Sequence, residues 1–227
     1  MKYSFDFAAP LEYWPDLLAG AWTTLTLSLA ATFFGFLVGV FCALASTGKA
    51  KWLARLAGAY IEVIRNTPLL VQVFLVYFGM ASMGFKVGAF TAATVALVVN
   101  VGAYTSEIVR AGIESIPKSQ LEAAETLGLT RWQTLRHVVL PPAIERVFPA
   151  LTSQYVLLML ASSICSQISA EELTAVANRV QSDTFRSVET YLIVAVGYLL
   201  LSLVMRGLFW LVGYVACARR RRVGTPL

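Results

Sequence analysis

Long apolar runs separated by short polar stretches dominate this chain. No Asp, Glu, Lys or Arg occurs from Leu17 to Gly48, from Val87 to Ser106, or from Val147 to Ala170. Each run reaches or exceeds the roughly 20 residues that a helix needs to cross the hydrocarbon core of a bilayer. Two further runs carry isolated charges. Ala59 to Met83 holds Glu62 and Arg65 near its start, and Tyr191 to Cys217 holds Arg206 in its second half. The pattern predicts an all-α membrane protein with five transmembrane helices in one domain, 1–227. It leaves two polar loops, one at about 118–142 and one at about 169–189.

Composition supports that class. Apolar residues make up 58% of 227 positions and charged residues 14%, too lopsided for a soluble domain. The cations also set an orientation. Lys49, Lys51 and Arg55 follow the first span, Lys118, Arg131, Arg136 and Arg146 flank the first polar loop, and Arg219 to Arg222 come near the end of the chain. With five spans these fall on one side, which the positive-inside rule makes cytoplasmic. The other side keeps Lys2, Lys86, Arg179 and Arg186 among Asp6, Glu12, Asp16, Glu171, Glu172, Asp183 and Glu189. The N-terminus is then outside and the C-terminus inside. The net charge of +5 is a topology signal; the Arg219 to Arg222 run reads as the anchor of a span, with a nucleic-acid role as the weaker reading and no nucleic-acid partner expected.

The first sixteen residues carry three acids and one Lys, unlike a cleavable signal. Tyr3, Phe5, Phe7, Leu11, Tyr13 and Trp14 suit an interfacial lead-in. Cys42, Cys165 and Cys217 have no metal-ligand spacing and read as small buried hydrophobes. His137 is the sole histidine, with no partner for a metal, so none is expected. There is no G-x-x-x-x-G-K-[ST] phosphate loop, so an enzymatic ATP site is not expected here.

The loop at 118–142 has its own helical logic. Leu121, Ala124, Leu127, Trp132 and Leu135 form a ragged apolar stripe from Ser119 to Arg136. Ser119 with Glu122 fits a capping box. Ala123, Ala124 and Gly128 make one side thin enough for a foreign backbone, and Pro141 with Pro142 are expected to end the helix. The spacing Glu122-Ala123-Ala124, Gly128, Val138, Leu140-Pro141 resembles the cytoplasmic coupling loop of ABC importer permeases, with Val138 where Ile is usual. Arg65-Asn66-Thr67-Pro68-Leu69-Leu70-Val71-Gln72 resembles the R-G-T-P-L-L-V-Q signature of the polar amino acid branch. Ala103 to Ile113 and Ser115 to Lys118 are similar to that branch as well.

The resemblance implies a type I ABC importer permease fold in the inner membrane of a bacterium. It also implies a homodimer or a heterodimer with a sister permease, two ABC ATPase subunits binding ATP and Mg, and an extracytoplasmic solute-binding protein. Glu122, Ala123, Ala124, Gly128, Leu140 and Pro141 would couple to the ATPase, and the cargo would be an amino acid. Many members carry a Lys-Asp-Thr-Ser run in the fourth helix. Here the stretch reads Met159-Leu160-Ala161-Ser162, which argues against a purely basic substrate.

A solute path needs polar groups at the midplane. Gln72, Asn100, Tyr104, Ser162, Ser163, Ser166 and Gln167 are the candidates, with hydrogen bonding between helices as the alternative role. Arg65 and Glu107 match in depth and are expected to pair, with Glu62 and Arg110 extending the pair through i, i+3 contacts. The polar segment from Ser169 to Val188 reads as an outer amphipathic helix begun by Ser169-Ala170-Glu171-Glu172, with Leu173, Val176, Val180 and Phe185 on one side. A secondary transporter or channel using Glu107, a permease for another small solute, and a scaffold with no path are the competing readings.

Overall fold

The computed structural model describes residues 4–48 and 50–216. Lys2, Tyr3, Lys49, Cys217 and Arg219 to Arg222 lie outside them. In order, the helices are α1 (Ala8–Leu11), α2 (Trp14–Thr47), α3 (Lys51–Arg65), α4 (Leu69–Ser82), α5 (Ala89–Glu114), α6 (Lys118–Thr126), α7 (Arg131–Thr134), α8 (Leu140–Ala161), α9 (Leu173–Thr184) and α10 (Ser187–Ala216). A π turn, Leu135–Val139, joins α7 to α8, and a 3-10 segment, Ser162–Ile168, extends α8.

Among the described residues four helical runs are long and apolar enough to cross a bilayer: Trp14–Thr47, Ala89–Glu114, Arg131–Ile168 and Ser187–Tyr214. The fifth expected span is not one helix. It is broken into α3 and α4, with a bend of 109° between them. Pro68 lacks an N–H, and its ring drives Thr67 out of the α region, so a helix cannot continue through this point. Alone, the 14 residues of α4 reach roughly 21 Å, short of a bilayer core of about 30 Å.

The bundle is organised on α5, whose sides meet α2, α3, α4 and α8. Gly35 and Gly39, four apart on α2, let that helix close on α5. A side chain at Gly39 would fall on Thr105, and one at Gly102 would lie 2.9 Å from Val38. Small residues at such spacing are how membrane helices gain contact when lipid is as apolar as the interface. Beside them Leu27, Ala31, Val73, Ala93, Leu97, Val101 and Leu158 form the main core. Phe33, Phe34, Phe41, Leu75, Leu199, Leu203 and Trp210 point outward, half or more exposed, an apolar coat suited to lipid.

At one end of the bundle α9 lies over α2 and α10. Leu173, Val176, Ala177 and Val180 pack on Leu17 and Val194. Phe185 does not join them. It ends α9 in a left-handed conformation and is 87% exposed. Nor does Ser169 start the helix, since it is itself left-handed. The N-cap is Glu172, whose carboxylate accepts from the N–H groups of Thr174 (3.0 Å) and Ala175 (2.9 Å) and from Tyr198 Oη (2.6 Å). Thr24 on α2 accepts from the N–H of Leu173 at 3.1 Å. Burial is the larger influence on Glu172 and pushes its carboxyl above the ordinary range, against those donors.

Candidate functional site

The break between α3 and α4 leaves backbone carbonyls at the end of α3 without helical partners. Gln72, in the first turn of α4, folds back and donates its amide to Ile64 O (2.8 Å), Thr67 O (3.1 Å) and Thr67 Oγ1 (2.9 Å). Asn100 on α5 donates to Gln72 Oε1 at 2.9 Å. Both amides are buried. These two candidate path residues thus hold the bend together.

One face of α5 presents Asn100, Tyr104 and Glu107 at i, i+4 and i+7. Arg65, at the last turn of α3, reaches Glu107 Oε2 at 3.3 Å and lies over the Tyr104 ring at 5.6 Å. Arg110 grips the same carboxylate with Nε (3.0 Å) and Nη2 (2.9 Å), and its Nη1 binds both oxygens of Glu114. The structure therefore brings Arg65, Glu107 and Arg110 together. Glu62 stays outside this network: its carboxylate accepts from Asn66 Nδ2 at 3.0 Å instead. Between α3 and α5, Ile61, Glu62, Arg65, Asn66 and Tyr104 line a half-open cavity of about 230 Å³, with Glu62, Arg65 and Asn66 exposed at its rim.

The serines beyond α8 are already bonded. Ser162, Ser163 and Ser166 donate to the carbonyls of Met159, Leu160 and Ser163, each three residues back. Gln167 is exposed. Tyr155 and Thr105, 3.2 Å apart, add a polar contact between α5 and α8 that sequence spacing did not flag.

The segment at 118–142 is a hook rather than one helix. α6 begins after Pro117 with no side-chain cap, so the expected Ser119–Glu122 box is absent. The box that forms is Thr130 with Gln133, opening α7. Gly128 separates the two helices at φ +71°. Its N–H bonds Glu125 O (2.9 Å) and that of Leu129 bonds Ala124 O (3.1 Å), a Schellman closure that wants glycine.

Pro141 and Pro142 do not end a helix. Pro141 sits in the first turn of α8, where its missing N–H costs little, and the π turn carries the chain through. Ala124 is buried against its own chain and so offers no surface to a partner, whereas Glu122, Ala123 and Gly128 are exposed. Leu140 and Pro141 are half-buried. Leu127 and Trp132 are 78% and 65% exposed, large apolar groups standing outside the bundle. The hook is fastened by Ile116, Val139 and Ala143 and by Arg146, which donates to Ser115 O and, at 2.9 Å, to Ser115 Oγ.

Among the described residues no group of His, Cys, Asp and Glu has the geometry of a metal site. Cys165 is buried and Cys42 half-buried.

Residues 35–213 match the family described as binding-protein-dependent transport system inner membrane component. The nopaline transport system permease protein NocM of Agrobacterium fabrum is 36% identical over 96% of this chain and 95% of its own length. The glutamine transport system permease protein GlnP of Escherichia coli is 38% identical over 88% of this chain and 93% of its own. Among solved structures, a crystal structure of an amino acid ABC transporter with histidines superposes with a TM-score of 0.86 at 39% identity, covering 92% of this chain and 98% of the other. The methionine transporter MetNI, at 23% identity and a TM-score of 0.66, shares the fold.

Proposed function

This chain belongs to the family of binding-protein-dependent transport system inner membrane components, and from that premise we propose how its geometry serves import. It is the permease subunit of an amino acid ABC importer with the type I fold, and the ATP-hydrolysing step belongs to a separate subunit. The observation that carries the mechanism is the hook. Leu127 and Trp132 stand exposed on it, and the helical run Arg131–Ile168 joins it directly to the polar middle of the bundle.

ATP and Mg bind the partner ATPase, which closes and pulls on Glu122, Ala123, Leu127 and Gly128. The run through α7 and α8 carries that displacement to the polar interior and exposes the path to the solute-binding protein. Hydrolysis returns the path to the cytoplasm. The permease works as a pair, with a second copy or a sister chain. Its N-terminus is outside and its C-terminus cytoplasmic. That placement agrees with Lys51, Arg55, Lys118, Arg131 and Arg136 at the hook end, which have no ion pair among the described residues, while Arg179 and Arg186 at the α9 end are paired with Asp16 (3.5 Å) and Asp6 (3.8 Å).

Cysteine crosslinking from Leu127 in the assembled transporter, with ATP-driven amino acid uptake into proteoliposomes, tests the reading. Crosslinks to the ATPase and uptake that needs ATP are expected. Uptake driven by a pH gradient without ATPase would replace it with a secondary transporter. Glu107 is a poor proton carrier for such a device, because two guanidiniums already hold it.

A further inference from the structure

We infer that the cavity between α3 and α5 is an exit-side subsite for the zwitterionic head of the transported amino acid, with Arg65 taking its carboxylate and Glu62 its ammonium. This rests on the reading of the chain as an amino acid permease.

The charges around the cavity are unequally satisfied. Glu107 is gripped by two nitrogens of Arg110, and Arg110 is held in turn by both oxygens of Glu114. Arg65 has one contact, at 3.3 Å, to a carboxylate oxygen that Arg110 already occupies at 2.9 Å. Its guanidinium has no other hydrogen-bond acceptor among the described residues, and the side chain is 41% exposed. A guanidinium carries five N–H donors in a planar fork matched to a carboxylate. The Tyr104 ring at 5.6 Å gives that fork a platform. An arriving carboxylate therefore meets a cation whose present partner is shared and monodentate.

Glu62 lines the same cavity one helical turn from Arg65, yet the two do not pair. Asn66 engages Glu62 Oε2 and leaves Oε1 open. The C-terminal turn of α3, with its partial negative charge, adds a second reason for an ammonium to settle there. Two opposite charges that border one cavity without joining each other match the head of an α-amino acid. The volume, about 230 Å³, admits a small one. Ile61, Asn66 and Tyr104 supply the rest of the lining, so no further formal charge is offered to the side chain. The class selected is an amino acid with an uncharged side chain.

The test uses the detergent-purified permease–ATPase complex without binding protein, so that the receptor's own selectivity does not intervene. Equilibrium dialysis is run with radiolabelled neutral L-amino acids, L-glutamine first, and with the α-carboxamide of the tightest binder. Wild type is expected to bind the acid at least about tenfold tighter than its amide, and Arg65→Gln to lose roughly the same factor, as charge-assisted bonds imply. Glu107→Gln, which removes the competing carboxylate, is expected to tighten binding, whereas a merely structural role for the pair would weaken it.

Equal binding of acid and amide by wild type overturns the subsite, as does unchanged affinity in Arg65→Gln. If Arg65→Gln fails to assemble, the acid–amide comparison on wild type decides alone. Failure of wild-type proteoliposomes to take up any amino acid with ATPase and binding protein present removes the permease reading itself. Uptake in wild type without detectable binding at this cavity removes only the subsite.

Discussion

Asn100 and Gln72 are joined at 2.9 Å, amide to amide, between the central helix and the first turn of α4. Gln72 uses its own amide on Ile64 and Thr67, so the break in the chain is braced from α5 through two side chains. Gln72→Ala strands the buried Asn100 amide and two part-buried carbonyls, and is expected to cost about 1–3 kcal/mol. Thermal unfolding of the purified complex should show the loss. Gln72→Glu should cost at least as much, because a carboxylate has no amide to donate to Ile64 O.

Glu107 and Arg65 are unequal partners. Removing Arg65 takes away one exposed contact, whereas removing Glu107 releases Arg65 and half the support of Arg110. Glu107→Gln is therefore expected to lower the thermal midpoint more than Arg65→Gln does. A full charge exchange, Arg65→Glu with Glu107→Arg, should not restore stability, since the new cation would face Arg110. Recovery to wild-type stability in the double exchange would show that Arg110 matters little.

Gly128 holds φ +71°, and a side chain there would meet nothing within 4 Å. The expected penalty is thus backbone strain alone, about 1–2 kcal/mol for an ordinary L residue. Gly128→Asn should retain more receptor-stimulated ATPase activity than Gly128→Val, because asparagine tolerates the left-handed region. Gly128→Arg adds bulk on the exposed hook and is expected to abolish stimulation while membrane insertion persists. Stimulation assays with a fractionation control separate these outcomes.

Glu172 supplies a pH signature. Its carboxyl is raised from 4.5 by burial, so folding favours the protonated form. Its contribution is greatest below that unfolded value and declines as pH climbs through the folded one. Thermal midpoints should therefore fall with rising pH above about 4.5 in a component that Glu172→Gln flattens. Parallel profiles for the two proteins would assign the slope to other groups.

Three charge-free runs and one holding only Arg206 mark four of the membrane elements, because length and hydropathy alone decide whether a helix can cross a bilayer. The fifth was visible as apolar but not as broken. Pro68 was present to announce the break, yet the angle depends on Gln72 and Asn100 closing it from another helix. Arg65 and Glu107 were matched by depth. Glu62 escaped that logic because the competing donor, Asn66, is set by the local turn at the end of α3. In the hook, Ser119 looked like a cap, but Pro117 starts α6 before it. Gly35 and Gly39 are a small-residue pair in the sequence, but what they meet, Val101 and Thr105, is set by α5.

The π turn at Leu135–Val139 gives the hook's attachment one residue more than a regular helix would wind into the same height. Deleting a single position there, Arg136 or His137, would tighten the coil to ordinary pitch without rotating anything downstream in α8. The spare residue is slack in the tether, and shortening it would ask whether import tolerates a taut line.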